Sequence, residues 1–160
     1  MTQKINYFKL IASVLVCQFA GILGSVFTLS SIDNWYSLLE KPIFNPPSWV
    51  FFPVWTLLYT LMGISLYIVW EKGVHDREVK IGLIFFGMQL ILNTLWSFLF
   101  FGLRSPYYGL VEIVFLWLAI ILTIVQFNKV SKMASLLLVP YILWVSFAAL
   151  LNYYLWSMNI

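Results

Sequence analysis

Apolar residues fill this chain in long blocks separated by short polar punctuation. A bilayer core about 30 Å thick is crossed by about 20 apolar residues in a helix. Five blocks reach that length: roughly Phe8 to Leu29, Pro47 to Trp70, Ile81 to Leu103, Pro106 to Phe127 and Met133 to Trp156. Lys9 and Gln18 alone interrupt the first. Its length, its internal glycines and the poor cleavage signature at Ser30-Ser31 predict a retained helix rather than a removed signal. Glu71 to Glu78 reads as a charged loop, Arg104-Ser105-Pro106 as a tight turn, and Asn128 to Lys132 as the last connection. Pro47 and Pro106 stand where helices begin, the position proline tolerates best. Pro53 and Pro140 fall inside apolar runs, where they should bend the helix and free a carbonyl. The ten-residue alternation of a membrane β-barrel is absent. The expected fold is therefore all-α: one transmembrane domain over residues 1–160, five spanning helices and a long first loop.

Composition narrows the class. The 160 residues are 62% hydrophobic, 19% aromatic and 9% charged, against about 45–50% apolar and about 25% charged in soluble domains. Nine basic and six acidic residues cannot cover a soluble surface of this size. A soluble enzyme and a disordered chain are excluded. So is a nucleic-acid partner, because the net charge of +3 is scattered between apolar blocks and forms no basic face. Cys17 is the one cysteine, which rules out an intrachain disulfide and a multi-cysteine metal site; it reads as a small apolar filler. With five spans, the N-terminus and the second and fourth loops share a side. That side carries Lys4, Lys9, Lys72, Arg77, Lys80, Lys129 and Lys132, and the other only Lys41 and Arg104. In a prokaryotic cell membrane the excess of bases predicts a cytoplasmic N-terminus and an external C-terminus.

Residues able to carry chemistry are few. His75, the single histidine, lies in the charged second loop and reads as solvated. Glu112 is the one acid well inside an apolar run; it is a functional candidate by position or a residue that snorkels or bonds a neighbouring helix. The first loop, Ser30 to Pro46, holds Trp35, Tyr36, Leu38, Leu39, Ile43 and Phe44. Such a loop is either a lid over a binding site or an interfacial segment with Trp35 and Tyr36 as anchors in the headgroup layer. Ala20-x-x-x-Gly24 and Gly21-x-x-x-Ser25 are small-residue pairs that let helices approach.

Three spans share a pattern. Trp55, Tyr59 and Met62 in the second follow i, i+4, i+7 and so lie on one face. Gln89, Asn93 and Trp96 repeat that spacing in the third, and Tyr141, Trp144, Ala148 and Asn152 run i, i+3, i+7, i+11 in the fifth. Amides are costly in lipid unless partnered, so these stripes should turn inward. They could serve only as packing glue, or they could line a hollow for a large, flat, mostly apolar ligand such as a tetrapyrrole or a sterol. The spans contain no histidine, so a porphyrin would be held by stacking and shape, with Met62 or a tyrosine the available axial ligands.

Longer motifs carry a resemblance. Trp35-Tyr36-x-x-Leu39-x-Lys41-Pro42-x-x-x-Pro46-Pro47-x-Trp49-Val50-Phe51 precedes Pro53-Val54-Trp55-x-x-Leu58-Tyr59-x-x-Met62-Gly63. Then follow Gln89-x-x-x-Asn93-x-x-Trp96-Ser97 with Phe100-Phe101-Gly102, and Pro140-Tyr141-x-x-Trp144-x-x-Phe147-Ala148-x-x-Leu151-Asn152-Tyr153-x-x-Trp156. In this order and over nearly the whole chain, they resemble the translocator protein/tryptophan-rich sensory protein family. The resemblance implies a five-helix bundle, usually a homodimer, with a pocket under the first loop for porphyrins such as protoporphyrin IX and, in animal members, sterols. It implies that Trp55, Asn93, Trp96, Trp144, Ala148 and Leu151 line that pocket, with Trp35 and Pro42 in the lid. The expected function is that of a porphyrin-binding membrane receptor with a regulatory or stress-response role, needing no cofactor. Two alternatives stand beside it: an enzyme that degrades porphyrin in light, with Trp55 and Trp144 as the candidate catalytic residues, and a porphyrin or sterol transporter. Animal members place a basic residue soon after the Leu-Asn-Tyr segment; here Leu151-Asn152-Tyr153 is followed by no Lys or Arg, which points to a prokaryotic-type member without that cholesterol motif.

Overall fold

The computed structural model describes residues 5–160; Lys4, counted above among the bases of the N-terminal side, lies outside the described residues. Helix α1 spans Tyr7–Ser31, α2 Ser48–Trp70, α3 Arg77–Ser97, α4 Pro106–Val130, α5 Lys132–Leu137 and α6 Val139–Met158. Five segments are long and apolar enough to cross a membrane, the fifth running from Lys132 through α5 and α6 to Met158.

Each boundary has a local cause. Asn6 caps α1 by accepting from Lys9 N–H, and Asp76 caps α3 by accepting from Glu78 N–H at 2.8 Å. The Asp76 cap starts the third span four residues before the apolar block, so part of the charged loop is helix. Pro106 opens α4 behind the Ser105 cap. Pro53 sits within α2, where it cannot donate to the Trp49 carbonyl. Pro140 does not bend a continuous helix as expected. The chain breaks at Leu138 and restarts, placing Pro140 in the first turn of α6, where no N–H is required.

The α3 segment ends in a wider π-turn, Phe98–Gly102. It turns two consecutive rings inward: Phe100 and Phe101 are both buried. Arg104, at φ 52°, then reverses the chain into α4.

Around the bundle the order is α1, α2, α5 with α6, α4, α3 and back to α1. The half nearer the N-terminus is solid. Met62, Val69, Phe86, Ile120 and Phe127 are buried there, and the Phe86 and Phe127 rings stack at 5.6 Å. Ser65 Oγ donates to the Ala134 carbonyl (2.7 Å), fastening α2 to α5. Beyond that point α2 scarcely touches α6, and a wedge opens toward the first loop.

The small residues of α1 are used within the chain. Thr94 Oγ1 donates to the Ala20 carbonyl, and a Cβ on Gly24 would come within 3.0 Å of Ser97 Oγ. A Cβ on Gly21 would stand 2.4 Å from the Tyr59 ring. These pairs set how closely α2 and α3 approach α1.

Candidate ligand cavity

The wedge encloses a cavity of about 310 Å³ in the half of the bundle under the first loop. Of the residues expected to line a pocket, Trp55 and Tyr59 come from α2, Asn93 and Trp96 from α3, and Trp144, Ala148, Leu151 and Asn152 from α6; all eight stand on its wall. Gln89 and Tyr141 do not. Both are 1% exposed and lie one turn deeper, behind the wall. Met62 is fully buried in the solid half, away from the hollow.

A hydrogen-bond chain joins wall to core. Tyr59 Oη donates to Asn93 Oδ1, Asn93 Nδ2 donates to Tyr141 Oη at 2.9 Å, and Tyr141 Oη donates to Gln89 Oε1 at 2.8 Å. A second chain runs from Trp96 Nε1 to Asn152 Oδ1 (3.1 Å) and from Asn152 Nδ2 to the Pro106 carbonyl (2.7 Å). The amides of Asn93 and Asn152 are each paired through both oxygen and nitrogen, whereas Gln89 Nε2 has no partner among the described residues. The paired amides fix the wall in place and leave it faced mainly by rings. Trp55 stacks on Tyr59 with centroids 5.5 Å apart, Trp96 on Phe100 at 5.0 Å, and Phe51 stands edge-on to Trp144 at 6.0 Å.

One wall has no counterpart in the three stripes. Gln18, Gly21, Ser25 and Thr28 of α1 face the cavity at i, i+3, i+7, i+10, a helical stripe of small and polar residues of which the sequence singles out only Gly21 and Ser25, as a packing pair. Gln18 Nε2 donates to Thr60 Oγ1 (3.0 Å), closing α1 on α2 at the floor. Above that floor the two helices part. Ile22, Leu29 and Phe52, all exposed, frame a lateral opening between them. Phe100 and Phe101, brought in by the π-turn, complete the wall beneath the loop.

The first loop folds onto the bundle. Tyr36 is buried, not an anchor in the headgroup layer. It opens a single 3-10 turn, Tyr36–Leu38, and packs against Phe100 and Phe101. Its hydroxyl donates to Asn45 Oδ1 at 2.8 Å. Burial pushes its phenol up to about 12, so the ring over the cavity stays neutral. Trp35 stands edge-on to Phe100 at 5.6 Å, and Pro42 is buried. Neither Trp35 nor Pro42 touches the hollow; they hold the cover that does.

Glu112 neither snorkels nor bonds a neighbouring helix. It is 5% exposed, and neither carboxyl oxygen has a hydrogen-bond partner among the described residues. His75 is exposed in its loop and Cys17 is buried in the core.

Five apolar helices around an aromatic hollow, covered by a loop that packs on the bundle, define a multi-pass α-helical membrane protein with an internal cavity of ligand size. The chain belongs to the TspO/MBR family, which it matches over residues 13–157. It is 52% identical to the tryptophan-rich protein TspO of Archaeoglobus fulgidus, over 96% of this chain and 99% of that protein. It is 38% identical to protein CrtK of Rhodobacter capsulatus, covering 91% of this chain and 89% of the relative. The translocator protein of Bos taurus is 36% identical over 91% of this chain and 86% of its own length.

Proposed function

We propose that this protein is a membrane receptor for porphyrins, tetrapyrroles such as protoporphyrin IX, held under the first loop, and that occupancy serves a regulatory or stress-response role. The observation that carries the reading is that Trp55, Trp96 and Trp144, from three separate helices, border one hollow. Indole faces offer wide apolar contact at little cost in side-chain entropy, and offset stacking on a planar macrocycle adds to it. The cavity stands at the lower end of the range of ligand sites, about 300–1,000 Å³, so a macrocycle extends through the opening between α1 and α2. Family membership adds the expectation of a homodimer in the bilayer. Charge placement supports a prokaryotic cell membrane with the N-terminus cytoplasmic.

Titration of purified protein with protoporphyrin IX, followed by quenching of tryptophan fluorescence, tests the reading. Saturable quenching, weakened by Trp55→Phe or Trp144→Phe, is expected; unsaturable or mutation-insensitive quenching overturns it. The same two indoles favour a second reading, degradation of the bound ring in light. That reading requires loss of porphyrin absorbance under illumination, abolished by Trp144→Phe while binding persists. A transporter, by contrast, would move porphyrin across a proteoliposome membrane.

A further inference from the structure

A second, shallower pocket lies in the first loop beside the aromatic hollow. It shares Ile32, Tyr36 and Ser48 with the cavity and adds Asp33, Ser37, Lys41 and Asn45. The two pockets differ in chemistry: the inner is walled by rings, and the outer sets the Lys41 ammonium with Asp33, Ser37 and Asn45 among the apolar Ile32, Pro46 and Pro47.

Lys41 is fixed in place. Its ammonium donates to the carbonyls of Ser37 (3.1 Å) and Leu39 (3.0 Å) and stands 5.0 Å from the centroid of the buried Tyr36 ring. An ammonium has three donors, so one N–H remains. No carboxylate of the described residues forms an ion pair with it; the two salt bridges, Lys9–Glu71 and Lys129–Glu78, lie at the other end of the bundle. A free surface lysine loses rotamer entropy when it captures an anion, whereas a side chain already held by three contacts has little left to lose. Asp33 opposes an anion in the same pocket, and its position in the wall fixes the sign of its effect.

We infer that this outer pocket is a carboxylate subsite: Lys41 pairs with an anionic group of a ligand whose flat apolar body lies in the cavity beneath. The inference rests on the porphyrin reading and deepens it. The chain selects amphipathic planar acids, and Tyr36 is the hinge between the two chemistries, its ring facing the cavity from one side and carrying Lys41 on the other.

The test compares protoporphyrin IX with its dimethyl ester, same ring and no charge, by fluorescence titration of the full chain in vesicles of zwitterionic lipid. The unaltered protein should bind the diacid more tightly. Lys41→Met should weaken the diacid about tenfold, as expected for loss of a charge-assisted hydrogen bond, and leave the ester within about twofold; Lys41→Arg should restore the preference. Asp33→Asn should strengthen the diacid alone. Arg104→Met, on the same face but outside both pockets, should change neither. Because Lys41 also holds the loop carbonyls, loosening of the loop would weaken acid and ester alike, and that equal loss overturns the inference. So does equal affinity of the unaltered protein for acid and ester. Saturable binding of neither compound overturns the porphyrin reading itself.

Discussion

Glu40 and Asn159, 119 residues apart, are joined by two reciprocal hydrogen bonds. Glu40 N–H donates to Asn159 Oδ1 and Asn159 Nδ2 donates to the Glu40 carbonyl, each at 2.9 Å. The carboxamide thus satisfies a loop residue's backbone as a neighbouring strand would. Phe44 adds an edge-on contact to Tyr154 at 5.3 Å. The middle of the first loop is therefore fastened to the far end of α6, across the top of the cavity.

Cutting that fastening should speed ligand exchange. Each hydrogen bond contributes about 0.5–1.5 kcal/mol net and Asn159→Ala removes two, so association and dissociation rates should rise together by about five- to a hundredfold. The dissociation constant should move little. Asn159→Asp, which keeps the acceptor and loses the donor, should fall between. Stopped-flow quenching with protoporphyrin IX measures both rates; unchanged rates would show that the loop does not gate the hollow.

Gly63 should be intolerant of any side chain. A Cβ there would lie 2.5 Å from Val14 Cα, and backbone cannot swing aside. Gly63→Ala must push α1 from α2, a cost of about 1–3 kcal/mol of the kind seen on overpacking. Gly87, with nothing within 4 Å of the same position, is the control. Gly87→Ala should be neutral or stabilise by up to about 1 kcal/mol through helix propensity. Thermal unfolding in detergent should lower the midpoint for the first variant only.

Tyr141→Phe should loosen the cavity wall without touching its surface. The substitution strands Asn93 Nδ2 and Gln89 Oε1, both paired to the hydroxyl, and should cost about 1 kcal/mol, since polar contacts between membrane helices contribute modestly. The same titration should show weaker porphyrin binding together with a lower unfolding midpoint. A lower midpoint at unaltered affinity would mean that the chain stabilises the fold and nothing more.

Orientation is separately testable. Ser157, exposed near the end of α6, should react as Ser157→Cys with a membrane-impermeant maleimide added outside intact cells. His75→Cys in the second loop should stay protected until the cells are opened. The reverse pattern would invert the topology.

Much of this architecture was legible because lipid imposes it. The length of each apolar block sets a span, and the stripes of Trp55, Asn93, Trp96 and Trp144 report a face through their helical period. Period, however, carries no depth. Gln89 and Tyr141 share those faces yet sit a turn below, where α5 has closed on α2, and no single-helix pattern says where two helices part. Glu112 shows the same limit: spacing places it inside, while its missing partners depend on neighbours from other segments. Phe100 and Phe101 turn inward together only because the π-turn breaks the regular period. Asn159 gave no signal, since its partner is a backbone group brought near by folding alone.

The gap framed by Ile22, Leu29 and Phe52 looks onto acyl chains rather than water. A guest arriving that way is sampled at its concentration in the membrane, so its partition coefficient multiplies its effective supply. Weak intrinsic affinity then suffices for a strongly lipophilic compound, and expanding the lipid phase at constant total guest should empty the protein as dilution would.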